Sequence, residues 1–196
     1  MFHLALVVVA SLELIQPTKC IVGGYKNSVI SVPWIVSLST NHSGPFCGGV
    51  LLDQCRILTT AFCLSNGIKP SDILVRLGSD YANGGGKTST IETVHIHPEF
   101  DATTKNYNFA VLEMSESFGK SLAISSIKFR DSSKPPYIGT PQREGCVGDA
   151  GGPLTCDGQL VGIISWSRGC AQGEGIGVYA DPTAVRNWLR RIAAPF

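Results

Sequence analysis

The sequence predicts an all-β fold built from short strands, with a single helix near the C-terminal end. Two features of the composition support this prediction: the 196 residues include 22 glycines, and only 16% of them are charged. This balance is typical of short strands joined by tight turns. The chain is long enough to bury a sizeable hydrophobic core, either as one unit or as two small halves.

The charge balance argues against two classes of partner. The 16 basic and 15 acidic residues give a formal net charge of +1, so no bulk attraction to nucleic acid or to an anionic membrane is expected. No apolar run approaches the roughly 18 residues that a membrane-spanning helix needs. We therefore expect no nucleic-acid partner and no membrane partner.

The first half of the chain contains six candidate strands, which are separated by clusters of Gly, Pro, Asn and Ser. These strands are residues 34–39, 49–52, 56–60, 73–77, 91–96 and 109–114. Alternating apolar runs bounded by such clusters are typical of strands and turns. Six strands suffice to close one barrel.

The second half contains only three candidate strands, at residues 152–156, 159–166 and 177–180, with a turn at Asp157 and Gly158. Three strands cannot close a six-stranded barrel. One sheet edge is therefore expected to be unpaired or to be covered by another part of the chain.

A helix is predicted to begin after Asp181, which caps it, with Pro182 in its first turn. Its apolar face consists of Val185, Trp188, Leu189 and Ile192. These positions recur at helical spacing, and Arg190 and Arg191 lie near the negative end of the helix dipole.

The N-terminal residues indicate secretion. Residues 4–10 form an apolar run, and Val8 and Ala10 are small residues at the spacing that signal peptidase uses. Residues 1–20 are predicted to be a signal peptide and a short propeptide, with a buried N-terminal strand as the alternative. Seven cysteines fit an oxidising, extracellular compartment. Asn41, in the sequence Asn-His-Ser, would accept a glycan if the chain is secreted.

One segment carries a motif of catalytic chemistry. Residues 144–154 read EGCVGDAGGPL, and this segment resembles the GDSGGP nucleophile loop of the chymotrypsin- and trypsin-like serine proteases. Ala150 stands where the family has the attacking serine. A methyl group has no lone pair, so the acyl-enzyme route is closed at this residue.

The other two members of the expected triad are also replaced. Residues 58–63 read LTTAFC and resemble the LTAAHC segment, with Phe62 in place of the general base. Residues 107–112 read YNFAVL and resemble the NDIALL segment, with Asn108 in place of the orienting acid. Residues 21–24, IVGG, resemble the start of the mature enzymes. The order of base, acid and nucleophile is the family's, and no catalysis is expected.

The resemblance implies a peptidase S1-like domain over residues 21–196, as a double β-barrel. Residues 21–120 would form the first barrel, 121–140 a linker, and 141–196 an incomplete second barrel with the C-terminal helix. Asn108 and Ala150 are 42 positions apart. In chymotrypsin the acid and the nucleophile are roughly ninety positions apart. About fifty residues are missing by this comparison, so the second barrel is predicted to be truncated.

Further site positions follow from the resemblance alone. The backbone N–H groups of Gly148 and Ala150 would form what remains of an oxyanion hole. The positions of the specificity pocket are Glu144, Ser165, Ser167 and Gly177. An acid at the base of the pocket implies a preference for basic side chains, but a solvated loop glutamate is an equally good interpretation of Glu144. Ser167 replaces a glycine and narrows the entrance.

The activation switch of the family is expected to be broken. In the family, the new amine of the residue corresponding to Ile21 pairs with the aspartate corresponding to Asp149. A trypsin-like activator cutting after Lys19 would leave Cys20 at the terminus, one residue too long. Cleavage after Cys20 by a different enzyme is the alternative.

The chain has seven cysteines, an odd number, so they cannot all pair with one another. The resemblance implies two disulfides, Cys47 with Cys63 and Cys146 with Cys170. The remaining cysteines are Cys20, Cys55 and Cys156. At least one thiol is then free or bonded to another molecule. A partner linked through a disulfide is therefore one of the alternatives.

No cofactor or metal is expected. His95 and His97 alternate along a predicted strand and would project from one face, as metal ligands sometimes do. No third ligand is evident, and a His-Pro pair is an ordinary strand end in the family.

These observations predict a secreted, catalytically inactive serine-protease homologue that acts by binding an extracellular protein. It resembles the inactivated paralogues of trypsin-like mite allergens, and such pseudoproteases are associated with modulating extracellular proteolytic or defence cascades. One alternative is a trypsin-like serine endopeptidase with residual or no activity. Another is an unstable product of a deleted segment.

Overall fold

The first half of the chain forms a closed six-stranded antiparallel barrel with strand order β1-β2-β3-β6-β5-β4. The computed structural model describes residues 27–40, 44–65, 67–130, 148–168 and 176–193. The barrel strands are β1 (Ile35–Thr40), β2 (Gly44–Leu51), β3 (Arg56–Thr59), β4 (Ile73–Leu77), β5 (Lys87–Ile96) and β6 (Ala110–Met114). The barrel closes because Val36 of β1 lies opposite Gly49 of β2 on one side and Leu77 of β4 on the other.

All six predicted barrel strands are confirmed, and two of them are longer than predicted. β2 begins at Gly44 and β5 begins at Lys87. The additional residues of β5 are polar and mostly exposed, so no apolar alternation marks them in the sequence. Backbone pairing extends the strand, since Lys87 lies opposite Leu77 of β4.

The barrel interior is filled by alternate apolar side chains. In β4 the buried residues are Ile73, Val75 and Leu77, with half-buried residues between them. This is the period of two that a strand imposes on its faces. Each such side chain contributes roughly 1.5–3 kcal/mol when it is fully buried.

A second core lies outside the barrel and joins it to the rest of the chain. Val50, Leu58 and Val111 point outwards from β2, β3 and β6, yet all three are fully buried. They pack against Leu160 and Leu189 from the C-terminal part of the chain. Both faces of these strands are therefore covered at these positions.

The second half forms a small sheet. Its strands are β7 (Lys128–Phe129), β8 (Pro153–Cys156), β9 (Gln159–Arg168) and β10 (Ile176–Ala180). β9 is central, with β8 along one edge and β10 and β7 along the other. Over the described residues this sheet has four strands and is not a closed barrel, in agreement with the predicted truncation. β7, which lies within the predicted linker, pairs with β9 in parallel.

The predicted turn and helix cap are confirmed. Asp157 and Gly158 have φ values of 51° and 71°, the left-handed conformations that a two-residue hairpin turn uses. The Asp181 side chain accepts the N–H of Thr183 at 2.9 Å. The helix differs from the prediction at its start, where Pro182–Val185 is a 3-10 turn that leads into α1 (Arg186–Ile192).

Across the part of the chain that the structure describes, no helix has the length and apolar character needed to cross a bilayer.

Candidate functional site

The nucleophile loop is held from two sides. The carbonyl of Ala150 accepts the N–H of Gly48 in β2 at 2.8 Å. On the other side, the N–H of Gly151 donates to the carbonyl of Ile164 in β9 at 2.8 Å, and the N–H of Ile164 donates to Gly152 at 2.9 Å. The loop therefore lies at the junction of the barrel and the smaller sheet.

Gly151 is required at its position for two reasons. Its φ is 84°, in the left-handed region that favours glycine. A Cβ at this position would also lie 2.2 Å from Thr59 Oγ1 and 2.3 Å from the carbonyl oxygen of Gly48. The loop is thus pressed directly against the barrel wall.

Phe62 lies in a 3-10 helix, Ala61–Leu64, that begins shortly after β3. Its side chain is 40% exposed, and the Lys105 ammonium lies 3.8 Å from the centre of its ring. The same ammonium donates to the carbonyl of Ala102 at 2.6 Å. A cation over an aromatic face is stabilised by about 0.5–1 kcal/mol at an exposed site. The position predicted for the general base is thus an aromatic ring with a lysine ammonium over its face.

Asn108 is almost completely buried, with 1% of its surface exposed. Its Oδ1 accepts the backbone N–H of Phe62 at 2.9 Å. Its Nδ2 donates to Ser165 Oγ at 2.8 Å and lies 3.4 Å from the Ser165 carbonyl oxygen. One neutral amide therefore bridges the 3-10 helix of the first half and β9 of the second half.

The predicted disulfide between Cys47 and Cys63 is formed. It ties β2 to the 3-10 helix that carries Phe62, and Cys63 Sγ lies 3.7 Å from the carbonyl oxygen of Ala150. Through these contacts the structure brings the three positions predicted for the triad, Phe62, Asn108 and Ala150, to one place.

The specificity-pocket positions are only partly assembled within the described residues. Ser165 is buried and its hydroxyl is engaged by Asn108. Ser167 and Gly177 lie opposite each other in β9 and β10. A Cβ at Gly177 would lie 3.3 Å from the ring of Tyr179. The pocket as a binding site stays a prediction.

Several predicted features lie outside the described residues. They are the signal peptide and propeptide in residues 1–20, Cys20, Ile21, Asn41, Glu144, Cys146 and Cys170. For the oxyanion positions, the structure shows Gly148 at a φ of 98° immediately before Asp149. The carbonyl of Asp149 accepts the N–H of Gly152 at 2.9 Å. The oxyanion hole and the activation pair stay predictions.

Cys55 and Cys156 have no disulfide partner among the described residues, and both are half-buried. The Asp53 carboxylate accepts the backbone N–H of Cys55 at 2.9 Å and lies 3.5 Å from its sulfur. Burial, followed by the charge of Asp53, raises the pKa of the Cys55 thiol. Cys55 is therefore held as a protonated, weakly nucleophilic thiol.

His95 and His97 each contact other side chains of the described chain. His95 Nε2 lies 3.7 Å from Glu113 Oε1. His97 is stacked on Tyr107 with ring centres 4.8 Å apart, and it meets Trp188 edge-on at 4.9 Å. Within the described ranges, no group of three or more His, Cys, Asp or Glu side chains is placed to hold a metal ion.

Two contributors to this site were missed at the level of sequence, Lys105 and the stack of His97 on Tyr107. Lys105 lies outside the family segments given in the sequence analysis, and Tyr107 begins one of them without an assigned role. Lys105 and Tyr107 both have positive φ values, 60° and 49°, and only the folded loop places their side chains over Phe62 and His97.

The fold and the site define a chymotrypsin-like serine-protease scaffold. A family model described as Trypsin matches residues 21–143 and 137–189, and the chain belongs to this family. It is 30% identical to Trypsin 5G1 of Aedes aegypti, over 88% of this chain and 85% of that protein. It is also 30% identical to Trypsin delta of Drosophila erecta, over 88% of each chain. Identity to Hypodermin-B of Hypoderma lineatum is 27%, over 90% of this chain and 88% of that protein.

The comparisons also locate the shortening of the second half. The alignment to Trypsin 5G1 spans 227 positions, while 88% of 196 residues is about 172, so about 55 aligned positions have no counterpart here. The two matches to the family model meet at residues 137–143. The missing positions therefore fall between the first barrel and the nucleophile loop.

Proposed function

We propose that this chain is a secreted, catalytically inactive member of the trypsin family that acts by binding another extracellular protein. The observation that carries the proposal is the convergence of Phe62, Asn108 and Ala150 at one site. A benzyl ring cannot take a proton, a carboxamide carries no charge to orient a base, and a methyl group cannot attack a carbonyl.

Among the described residues, the polar side chains near the loop are engaged in other contacts and offer no substitute nucleophile. The hydroxyl of Thr59 donates to the carbonyl of Gly48 at 2.8 Å. The sulfur of Cys63 is bonded to Cys47 in a disulfide and is not available as a thiolate. His97, a possible surrogate base, is buried between Tyr107 and Trp188, and its Nδ1 accepts the N–H of Glu99 at 3.2 Å.

A binding role is supported by exposed aromatic side chains at the site. Phe62, Tyr107 and Trp166 are each about 40% exposed or slightly more. Large aromatic side chains are enriched among the residues that dominate the energetics of protein interfaces. They are expected to form the centre of the surface that contacts the partner.

The extracellular location is supported by the Cys47–Cys63 disulfide, because disulfides persist in oxidising compartments. The partner we propose is a component of an extracellular proteolytic or defence cascade. The inactivated mite paralogues that the sequence resembles are the precedent for such a role.

The catalytic part of the proposal is tested with a fluorophosphonate probe, which labels only an activated nucleophile. We expect no labelling of the wild-type chain and full labelling of an active trypsin of the family. The combined variant Phe62→His, Asn108→Asp, Ala150→Ser shows whether the shortened scaffold still supports a triad. Peptide hydrolysis by the wild-type chain that is abolished by mutating a single nucleophile would contradict the proposal.

The binding part is tested by crosslinking and gel filtration with purified cascade proteases and their inhibitors. Phe62→Ala is expected to weaken complex formation by about tenfold or more, as for a central aromatic contact. Leu122→Ala, at a side chain that is 81% exposed, is the matched control and should leave binding unchanged. Absence of binding across the cascade components would count against this role.

The similarity to trypsins favours one alternative, a trypsin-like endopeptidase with residual activity. Labelling of the wild-type chain by the fluorophosphonate probe would support that alternative. The other alternative is an unstable product of a deleted segment. The closed first barrel with its buried core argues for a folded protein. The intact mass, N-terminal residue and thermal unfolding of naturally secreted material would test that alternative.

A further inference from the structure

The loop that joins β5 to β6 carries two side chains to the site. It runs from His97 to Phe109, and the N–H of His97 donates to the carbonyl of Phe109 at 3.0 Å, which closes the base of the loop. Between these ends, Lys105 places its ammonium over the Phe62 ring, and Asn108 accepts the backbone N–H of Phe62. The geometry of the site therefore depends on how the β5–β6 loop is held.

His97 lies at the base of this loop, is only 6% exposed and is contacted from three directions. Its ring stacks on Tyr107, with the two planes 7° apart, and it meets Trp188 of α1 edge-on. Its Nδ1 accepts the backbone N–H of Glu99 at 3.2 Å. One titratable ring thus connects the first residues of the loop, its last residues and the C-terminal helix.

The hydrogen bond from Glu99 requires a neutral His97 ring. A neutral imidazole has one nitrogen that accepts and one that donates, so acceptance at Nδ1 places the proton on Nε2. In the protonated ring both nitrogens are donors. The Nδ1–H would then face the N–H of Glu99, and the bond would be lost. The first residues of the loop are therefore bonded to the ring only while His97 is uncharged.

Among the described residues, the charges that face His97 come from the loop itself and from α1. The Glu99 carboxylate lies on the loop and favours protonation, whereas Arg191 lies on α1 and disfavours it. Tyr107 and Trp188 contribute aromatic rings, whose faces attract a cation. Burial is the largest influence and, together with Arg191, lowers the pKa of His97 from its ordinary value. The folded chain therefore favours the neutral ring.

The last residues of the loop have a strained backbone. Tyr107 has a φ of 49° and Lys105 a φ of 60°, values in the left-handed region that bulky side chains rarely adopt. Such conformations persist where the surrounding contacts outweigh their cost. For Tyr107, the stacked ring of His97 is one of those contacts. Loss of the contacts at His97 therefore allows both residues to relax.

We infer that His97 is a pH-sensitive contact, which holds the β5–β6 loop closed when its ring is neutral and releases the loop when its ring is protonated. On release, Lys105 and Tyr107 leave their places beside Phe62 and His97. The consequence for binding rests on the proposed function: the exposed aromatic surface of Phe62, Tyr107 and Trp166 is assembled at neutral pH and is lost in mildly acidic surroundings.

The experiment is nuclear magnetic resonance of the full chain from about pH 7.5 to about pH 5, with no partner present. The ring signals of His97 give its pKa. Amide exchange, corrected for its intrinsic pH dependence, gives the protection of the Glu99 and Phe62 amides. We expect a His97 pKa below about 6.5. Protection of both amides should fall as the pH drops, by about tenfold for each unit that separates the measured pKa from about 6.5.

Two variants separate the acceptor from the aromatic ring. His97→Asn offers a side-chain oxygen near the place of Nδ1 and does not titrate, so the Glu99 amide should stay protected at every pH. His97→Phe keeps an aromatic ring without an acceptor, so the same amide should exchange readily at every pH. His95→Gln, at the neighbouring histidine, is the matched control and should keep the wild-type pH dependence.

Three results for the wild-type chain would overturn the inference, and none of them depends on how a variant folds. They are a His97 pKa at or above about 6.5, protection of Glu99 that does not change with pH, and loop amides as strongly protected as those of β4 at every pH. The last result would show that protonation acts on the whole fold and not on the loop. Because these measurements use the chain alone, their failure leaves the proposed binding role standing, and absence of a binding partner does not affect them.

Discussion

Asn108 Oδ1 accepts the backbone N–H of Phe62 at 2.9 Å, and this bond joins the two positions that the sequence predicts for the base and the acid of a triad. The same amide donates to Ser165 Oγ at 2.8 Å. Asn108, the predicted acid position, therefore has a structural role in this chain. It links the two halves although there is no imidazole to orient.

Asn108→Asp is expected to destabilise the protein by about 1–3 kcal/mol at pH 7, because a buried carboxylate would lose the Nδ2 donor and face the Ser165 carbonyl 3.4 Å away. The deficit should shrink below about pH 5, since the carboxyl group becomes protonated and can donate again. Urea unfolding of the wild-type protein and the variant, at pH 7 and below about pH 5, measures this loss of stability. Asn106→Asp, at an exposed position in the same loop, is the control, and equal effects of the two substitutions would refute the role given to Asn108.

Lys105→Ala should cost about 0.5–1 kcal/mol of stability, because the ammonium over the Phe62 ring is lost. Lys105→Gly also loses the ammonium, but it relieves a φ of 60° and should recover about 1 kcal/mol. Glycine is therefore expected to be more stable than alanine at this position, the reverse of the usual order in an ordered segment. Thermal and urea unfolding of the three proteins check this order, with Lys69→Ala as the exposed control.

The stability of the protein should fall as the pH is lowered through the range in which His97 titrates. Burial, with Arg191 as a further cause, lowers the pKa of His97 below 6.5, while Glu99 opposes the shift. The unfolded chain binds the proton at higher pH than the folded chain, so the contribution is present above about pH 6.5 and is lost as pH falls through the folded pKa. His97→Phe should flatten the unfolding free energy between pH 7.5 and pH 5. An unchanged slope in that variant would show that other groups cause the dependence, and His95→Gln is the matched control.

Gly151→Ala should be severely destabilising, by about 3 kcal/mol or more, because the new Cβ would meet Thr59 Oγ1 at 2.2 Å in addition to the backbone strain. Gly148→Ala is the matched control, since its φ is 98° but its Cβ would meet no atom within 4 Å. That control should cost about 1–2 kcal/mol from backbone strain alone. The measurement is the free energy of unfolding of the two variants. A Gly151 variant as stable as the Gly148 variant would contradict the packing shown for the loop.

The sequence by itself determined the features that depend on local pattern. Short apolar segments between clusters of Gly, Pro, Asn and Ser located all six barrel strands, the Asp157-Gly158 pair located the hairpin turn, and Asp181 located the helix cap. The identities of residues 62, 108 and 150 were also evident, since they are read directly from the motifs.

Only the tertiary structure decided which side chains surround those three positions. Lys105 covers Phe62, His97 stacks on Tyr107, and β7 joins β9 in parallel. These contacts depend on left-handed backbone conformations in one loop and on pairing between segments about thirty residues apart. Local periodicity in the sequence predicts neither feature, because both depend on long-range packing.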